Sequence, residues 1–166
     1  YFDALPKFER PEHTEDYEGF YMLMDLNGNA EACEMSFIIR DHSRSRFEAR
    51  KDYLEQIAAI MNEKYEHEYV NVNIKDSYYN MREVIEKNME IVDLAEKAMN
   101  ELGIEAKIAP VRGGTDGSRL SFDGLPTPNL FTGGENFHGP HEFAVVETME
   151  YASKLIVKIS ELNAQS

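Results

Sequence analysis

Gly19-Phe20-Tyr21-Met22-Leu23-Met24-Asp25-Leu26-Asn27-Gly28-Asn29 is an apolar run closed by a polar turn cluster. Its reading decides the fold of the first half of the chain. Asn-Gly favours positive φ and so marks a hairpin turn between two strands. Beyond it Cys33, Met35, Phe37 and Ile39 alternate with Glu34, Ser36 and Ile38, the two-residue period of a second strand. Leu54, Ile57, Ala58, Met61 and Tyr65 then repeat at helical spacing and predict a helix over residues 44–65. Val70, Val72 and Ile74 alternate with Asn71, Asn73 and Lys75 and predict a third strand. Strand–strand–helix–strand is an α+β layer in which the helix covers one face of an antiparallel sheet. So short a sheet usually has another element beside it.

Upstream, the first dozen residues, with Pro6 and Pro11, read as an extended connector. Downstream, Asp76-Ser77-Tyr78-Tyr79-Asn80-Met81 breaks the pattern and reads as a hinge. Past it, Ile85, Met89, Val92, Ala95, Met99 and Leu102 form one helical stripe, with Gly103 placed to close it. Ile104 to Val111 and Asn129 to Thr132 read as short buried strands. The last helix is expected to begin near Phe143 and run past Leu162, with Val145, Met149, Ala152, Ile156 and Ile159 facing inward. Strands alternating with helices predict part of a parallel α/β sheet in this half.

Bulk composition excludes several functions. Acidic residues outnumber basic ones 31 to 17 and the formal charge is −14. A chain of that sign is repelled by phosphate backbones, which argues against nucleic-acid binding. No apolar run approaches the ~20 residues of a membrane span. Tyr1-Phe2-Asp3-Ala4-Leu5-Pro6 lacks the basic flank and apolar core of a secretory signal. It also lacks an initiator Met, and a piece of a longer chain is expected. Cys33 is the single cysteine, so no internal disulfide forms; a buried, inert thiol and a cytoplasmic setting are expected.

Two loops carry candidate chemistry. Arg112-Gly113-Gly114-Thr115-Asp116-Gly117-Ser118 follows an expected strand, where glycines let backbone N–H groups approach an anion and Arg112 supplies a rigid charged fork. It is neither a Walker loop nor a dinucleotide fingerprint, and a tight turn with Thr115 or Asp116 capping the next helix accounts for it equally well. Gly133-Gly134-Glu135-Asn136-Phe137-His138-Gly139-Pro140-His141-Glu142 holds two histidines and two carboxylates, donors suited to zinc. Its spacing matches no self-sufficient zinc signature, and two solvated histidines with a helix-terminal Glu142 are the plainer reading. Arg40-Asp41-His42 reads as a surface ion pair with a solvated histidine. His13 and His67 read as unligated, and Tyr78-Tyr79 as hinge packing.

Taken together these loops and their flanks carry a resemblance. Arg112-Gly113-Gly114-Thr115-Asp116-Gly117 is followed by Gly124-Leu125-Pro126-Thr127-Pro128-Asn129-Leu130 and by Thr132 through Phe143. Upstream stand Pro11-Glu12-His13-Thr14, Tyr17-Glu18-Gly19-Phe20, Ile39-Arg40-Asp41-His42 and Tyr78-Tyr79-Asn80-Met81. In this order they resemble the peptidase T family of co-catalytic zinc exopeptidases, over almost the whole chain. The resemblance implies a two-domain enzyme, with an α/β catalytic domain interrupted by a ferredoxin-like lid. Residues 1–76 would be the later part of the lid, 77–82 the hinge, and 83–166 the C-terminal segment of the catalytic domain.

The same resemblance implies hydrolysis of the N-terminal peptide bond of tripeptides with two zinc ions in the complete enzyme. His138, in the Asn-Phe-His-Gly motif, would ligate one of them. Arg112, with close backbone contacts from Gly113, Gly114, Thr115 and Asp116, would hold the substrate carboxylate. The family's other ligands, its general base and its lid histidine have no counterpart here, so this chain alone is expected to be inactive. Homodimerisation through the edge strands of the lid is a further expectation. A non-catalytic interaction module, or an amidohydrolase of the same superfamily, is the alternative.

Overall fold

The computed structural model describes residues 1–165. They form two units, one built from Tyr1–Asn80 with Ala109–Thr115, the other from Met81–Ile108 with the residues from Asp116 onward. The fold is mixed α/β, with five α-helices and two small antiparallel sheets among the described residues.

In the first unit the hairpin forms, but its turn lies beyond the Asn27-Gly28 pair. Strand β1 runs Phe20–Gly28 and β2 runs Cys33–Arg40, with Gly28 opposite Cys33, Phe20 opposite Arg40, and a bulge between Leu23 and Asp25. The turn is made by the next asparagine. Asn29 Oδ1 accepts from the backbone N–H groups of Glu31 (2.8 Å) and Ala32 (3.0 Å), and Asn29 N donates to Ala32 O at 2.8 Å. This is the local capping that suits asparagine to turns. Gly28 answers to space rather than to φ, since a Cβ there would lie 2.8 Å from Ala32 O and 2.9 Å from Cys33 Cα. Cys33, at the exposed start of β2, is not the buried thiol expected.

Helix α1 spans Arg44–Tyr65, as its periodicity predicts. Ser43 caps it by accepting from Arg46 N, and Glu66 ends it in a left-handed conformation (φ 52°). Leu54 and Ile57 pack with Leu5 and Tyr21 as the core, and Tyr1, Phe2, Phe37, Ile39, Met61 and Val72 close around them. The N-terminal segment is therefore no free connector. It turns twice in short 3₁₀ stretches, Phe2–Ala4 and Pro11–His13, because Phe2 and Leu5 bury apolar surface and Pro11 suits the first position of a helical turn. Tyr1 Oη donates to Leu54 O at 2.8 Å, and burial pushes its phenol up to about 12.

The third expected strand keeps its alternation without a ladder. Val70, Val72 and Ile74 are half-buried and their neighbours exposed, yet among the described residues the sheet has only β1 and β2. A side chain replaces the partner strand at one point: Asn62 donates to Val70 O and accepts from the N–H groups of Tyr69 and Val70, at 2.8–2.9 Å.

In the second unit the long helix divides into α2, Arg82–Ile85, and α3, Glu90–Glu101. The break falls where Asn88 Nδ2 donates to Val84 O at 2.8 Å, a side-chain bond of the kind that competes with the helical ladder. Gly103 (φ 72°) does close α3. Its N–H donates to Asn100 O and that of Ile104 to Met99 O, the paired bonds of a Schellman cap.

Helix α4 spans Asp116–Phe122 and α5 spans Val146–Asn163. Ala98 of α3 and Leu155 of α5 are both 0% exposed, and Lys158 bridges to Glu101 at 3.5 Å. The inward face of α5 is turned from the one expected. Ala152, Leu155, Ile159 and Leu162 face inward, while Met149 and Ile156 are 47% and 59% exposed. No parallel ladder is found among the described residues. The strands expected at 104–111 and 129–132 run unpaired, and the ladder found in the second unit among the described residues joins β3, Gly134–Glu135, to β4, Phe143–Ala144, in antiparallel register. A strand needs a neighbour to take its backbone hydrogen bonds, and none of the described residues supplies one to these stretches. No helix is long and apolar enough to cross a membrane, among the described residues.

Candidate functional site

Arg112 belongs to the first unit through the returning segment Ala109–Thr115. Its guanidinium is engaged with the loop before β1. Nη1 donates to Thr14 O, Nη2 donates to Thr14 Oγ1 at 2.5 Å and to Glu18 O at 3.5 Å, and the fork lies 5.0 Å from the centroid of the Phe20 ring. Arg112 Nε and Thr115 Oγ1 are buried without a hydrogen-bond partner. Gly114 passes so close to Tyr78 that a Cβ would sit 1.3 Å from the phenol oxygen, whereas a Cβ at Gly113 would meet nothing within 4 Å. A side chain at the second glycine would therefore displace the Tyr78 phenol, and one at the first would not. Asp116 opens α4 in the second unit, where an acidic residue suits the helix dipole.

The loop entering the last helix is shaped by its backbone. Asn136 and His138 both adopt left-handed φ (54° and 64°). Gly139 N donates to Asn136 O at 3.0 Å, Glu142 N to Gly139 O at 3.2 Å, and His138 N to the Glu142 carboxylate at 2.8 Å. Asn136 Nδ2 reaches His141 O at 3.4 Å. Both histidines are exposed. The helix expected to begin near Phe143 starts only at Val146, because β4 intervenes. Among the described residues no group of three or more His, Cys, Asp or Glu side chains is placed to hold a metal ion. The donors among the described residues do not by themselves form a metal centre.

The Arg40-Asp41-His42 stretch is built differently from its expected surface pair. Asp41 has a fully buried side chain and pairs with Arg50, not Arg40, at 2.9 Å; it also accepts from Ser43 N. Arg50 also pairs with Glu9. His42 is half-buried against Tyr17 (ring centroids 5.2 Å), and neither ring nitrogen has a hydrogen-bond partner. Arg40 lies 4.9 Å over the Tyr78 ring and Arg44 4.0 Å over that of Tyr79, so the tyrosine pair is packing. Nothing in the sequence assigns Thr14 and Glu18 a role; only the fold brings them, across 98 and 94 residues of sequence, onto Arg112.

Residues 11–161 match peptidase family M20/M25/M40, and the chain belongs to that family. Within it, the chain is 56% identical over 160 residues to Peptidase T of Caldanaerobacter subterraneus, and 55% identical over 161 residues to Peptidase T of a Geobacillus species. The two alignments cover 96% and 97% of this chain but 39% of each relative, so the chain spans about two fifths of their length. In fold it is similar to a crystal structure of a tripeptidase from Staphylococcus aureus, with a TM-score of 0.73 at 19% identity, over 99% of this chain and 44% of that one. It is also similar to aminopeptidase PepT of Bacillus cereus, with a TM-score of 0.62 at 17% identity, over 95% of this chain and 42% of that one.

Proposed function

We propose that this chain is the C-terminal part of a zinc aminotripeptidase, which releases the N-terminal residue of tripeptides. The observation that carries the reading is the 56% identity to a Peptidase T along 96% of the chain. Residues 1–76 serve as the later part of a ferredoxin-like lid, 77–82 as the hinge, and 83–166 as the closing segment of the catalytic domain. His138 supplies one zinc ligand, and the remaining ligands and the general base come from the part of the protein outside this chain. Zinc held there would supply Lewis-acid and water-activating chemistry. A homodimer through the hairpin edges belongs to the same reading; Met24 and Leu26 of β1 are 53% and 56% exposed.

Arg112 grips the substrate carboxylate, with Gly113, Gly114, Thr115 and Asp116 lining its approach. A guanidinium fork matches a carboxylate in charge and geometry, which favours free-acid peptides over amides and limits peptide length. In the complete protein, Arg112→Ala is expected to reduce kcat/KM for a free-acid tripeptide by about 100-fold, the size of a lost charged contact. The corresponding tripeptide amide should lose far less. Steady-state rates on the two substrates check this, and equal losses would assign Arg112 to structure.

A further inference from the structure

Thr14 holds two of the three acceptor atoms that meet the Arg112 guanidinium, its own carbonyl and its own hydroxyl. We propose that Thr14 is a positioning residue for Arg112, fixing the plane of the fork that receives the substrate carboxylate. This rests on the assignment of Arg112 as the carboxylate grip.

The contact has the features of an orienting device. Thr14 Oγ1 donates its own proton to Arg10 O at 2.9 Å, which turns a lone pair toward Arg112 Nη2. The loop carrying Thr14 is itself braced: Glu18 N donates to Glu15 O at 2.9 Å and Glu15 N to the Glu18 carboxylate at 3.0 Å. Phe20 supports the guanidinium from its face. Of five guanidinium donors, the one at Nε is left buried with no acceptor in the protein. A buried unmade donor is unfavourable, and an incoming carboxylate oxygen would satisfy it. The two bonds that Thr14 accepts, at its carbonyl and its hydroxyl, hold the fork in one orientation. A purely structural arginine would more commonly have that donor paired within the fold.

The test uses the complete, metal-loaded protein with Thr14→Val, which keeps the shape and the carbonyl but loses the hydroxyl, and with Thr14→Ser, which restores it. For a free-acid tripeptide, Thr14→Val should raise KM about tenfold with kcat within about twofold, the signature of lost substrate binding, and Thr14→Ser should return KM toward wild type. The tripeptide amide should show little change in either variant. If Thr14→Val weakens acid and amide alike, or if Thr14→Ser fails to restore KM, the residue merely supports the fold and the proposal is wrong. Arg112→Ala run beside them separates the two levels. An acid–amide difference at Arg112 without one at Thr14 overturns only the positioning role, whereas no difference at Arg112 overturns both.

Discussion

Arg50→Met is expected to destabilise the first unit by about 3–5 kcal/mol, the cost of leaving a buried charge without its partner. Asp41 has a side chain with 0% exposure, and Arg50 is the cation that reaches it, at 2.9 Å. The same guanidinium pairs with Glu9 and lies over the Tyr21 ring, while Tyr21 Oη donates to Arg50 O at 3.3 Å. One side chain thus ties the N-terminal segment, β1 and the β2–α1 turn together. Its partners hold the Arg50 pKa above the ordinary arginine value, against an opposing desolvation that is the largest single effect. Methionine keeps the aliphatic stem and removes the guanidinium, with its charge and its hydrogen bonds to Asp41 and Glu9. Urea unfolding of the variant gives the number, and Asp41→Asn in the Arg50→Met background should recover part of the loss by removing the stranded anion. A loss below about 1 kcal/mol would mean that the pair behaves like a solvent-exposed ion pair.

The second large effect concerns the two histidines of the loop before α5. In the complete protein, His138→Ala should lose zinc and nearly all activity together, because a catalytic zinc generally has only three protein ligands. His141→Ala should keep its zinc and lose activity by about 10–100-fold at most, the range for groups outside the ligand shell. Helix position does not separate the two, since α5 begins only at Val146. What separates them is motif position, Asn136-Phe137-His138-Gly139, and a backbone that holds His138 at φ 64° with its N–H on the Glu142 carboxylate. Zinc content and turnover of both variants decide it: zinc lost from His141→Ala while His138→Ala keeps its full complement would reverse the assignment.

Elements that satisfy themselves locally were legible in the sequence. Helix α1 carries its own cap at Ser43 and its own buried face, and the Gly103 cap needs only the residues of its own turn. The hairpin was legible as well, though not its turn, because Asn29 acts through a side-chain bond that the Asn-Gly pair outcompetes as a pattern. Strands were the weak point. The alternation at Val70–Ile74 reports burial, which is real, but a strand also requires a partner that none of the described residues provides. The face of α5 was misplaced for a related reason. Its apolar residues cover a broad arc that includes both Leu155 and Ile156, so sequence alone could not choose between them. In the candidate site, the family motifs pointed to Arg112 and His138, but nothing local in sequence joins Thr14 to Arg112 or Asp41 to Arg50.

The most direct measurement of the central claim follows release of the N-terminal residue from a free tripeptide, with the complete protein and the purified 166-residue chain assayed side by side with zinc. The account predicts turnover by the complete protein and none above background by the chain alone, to which it assigns one zinc ligand where about three are needed. Turnover by the homogeneous chain that disappears in His138→Ala, or a zinc-loaded complete protein that leaves the tripeptide intact, would contradict it.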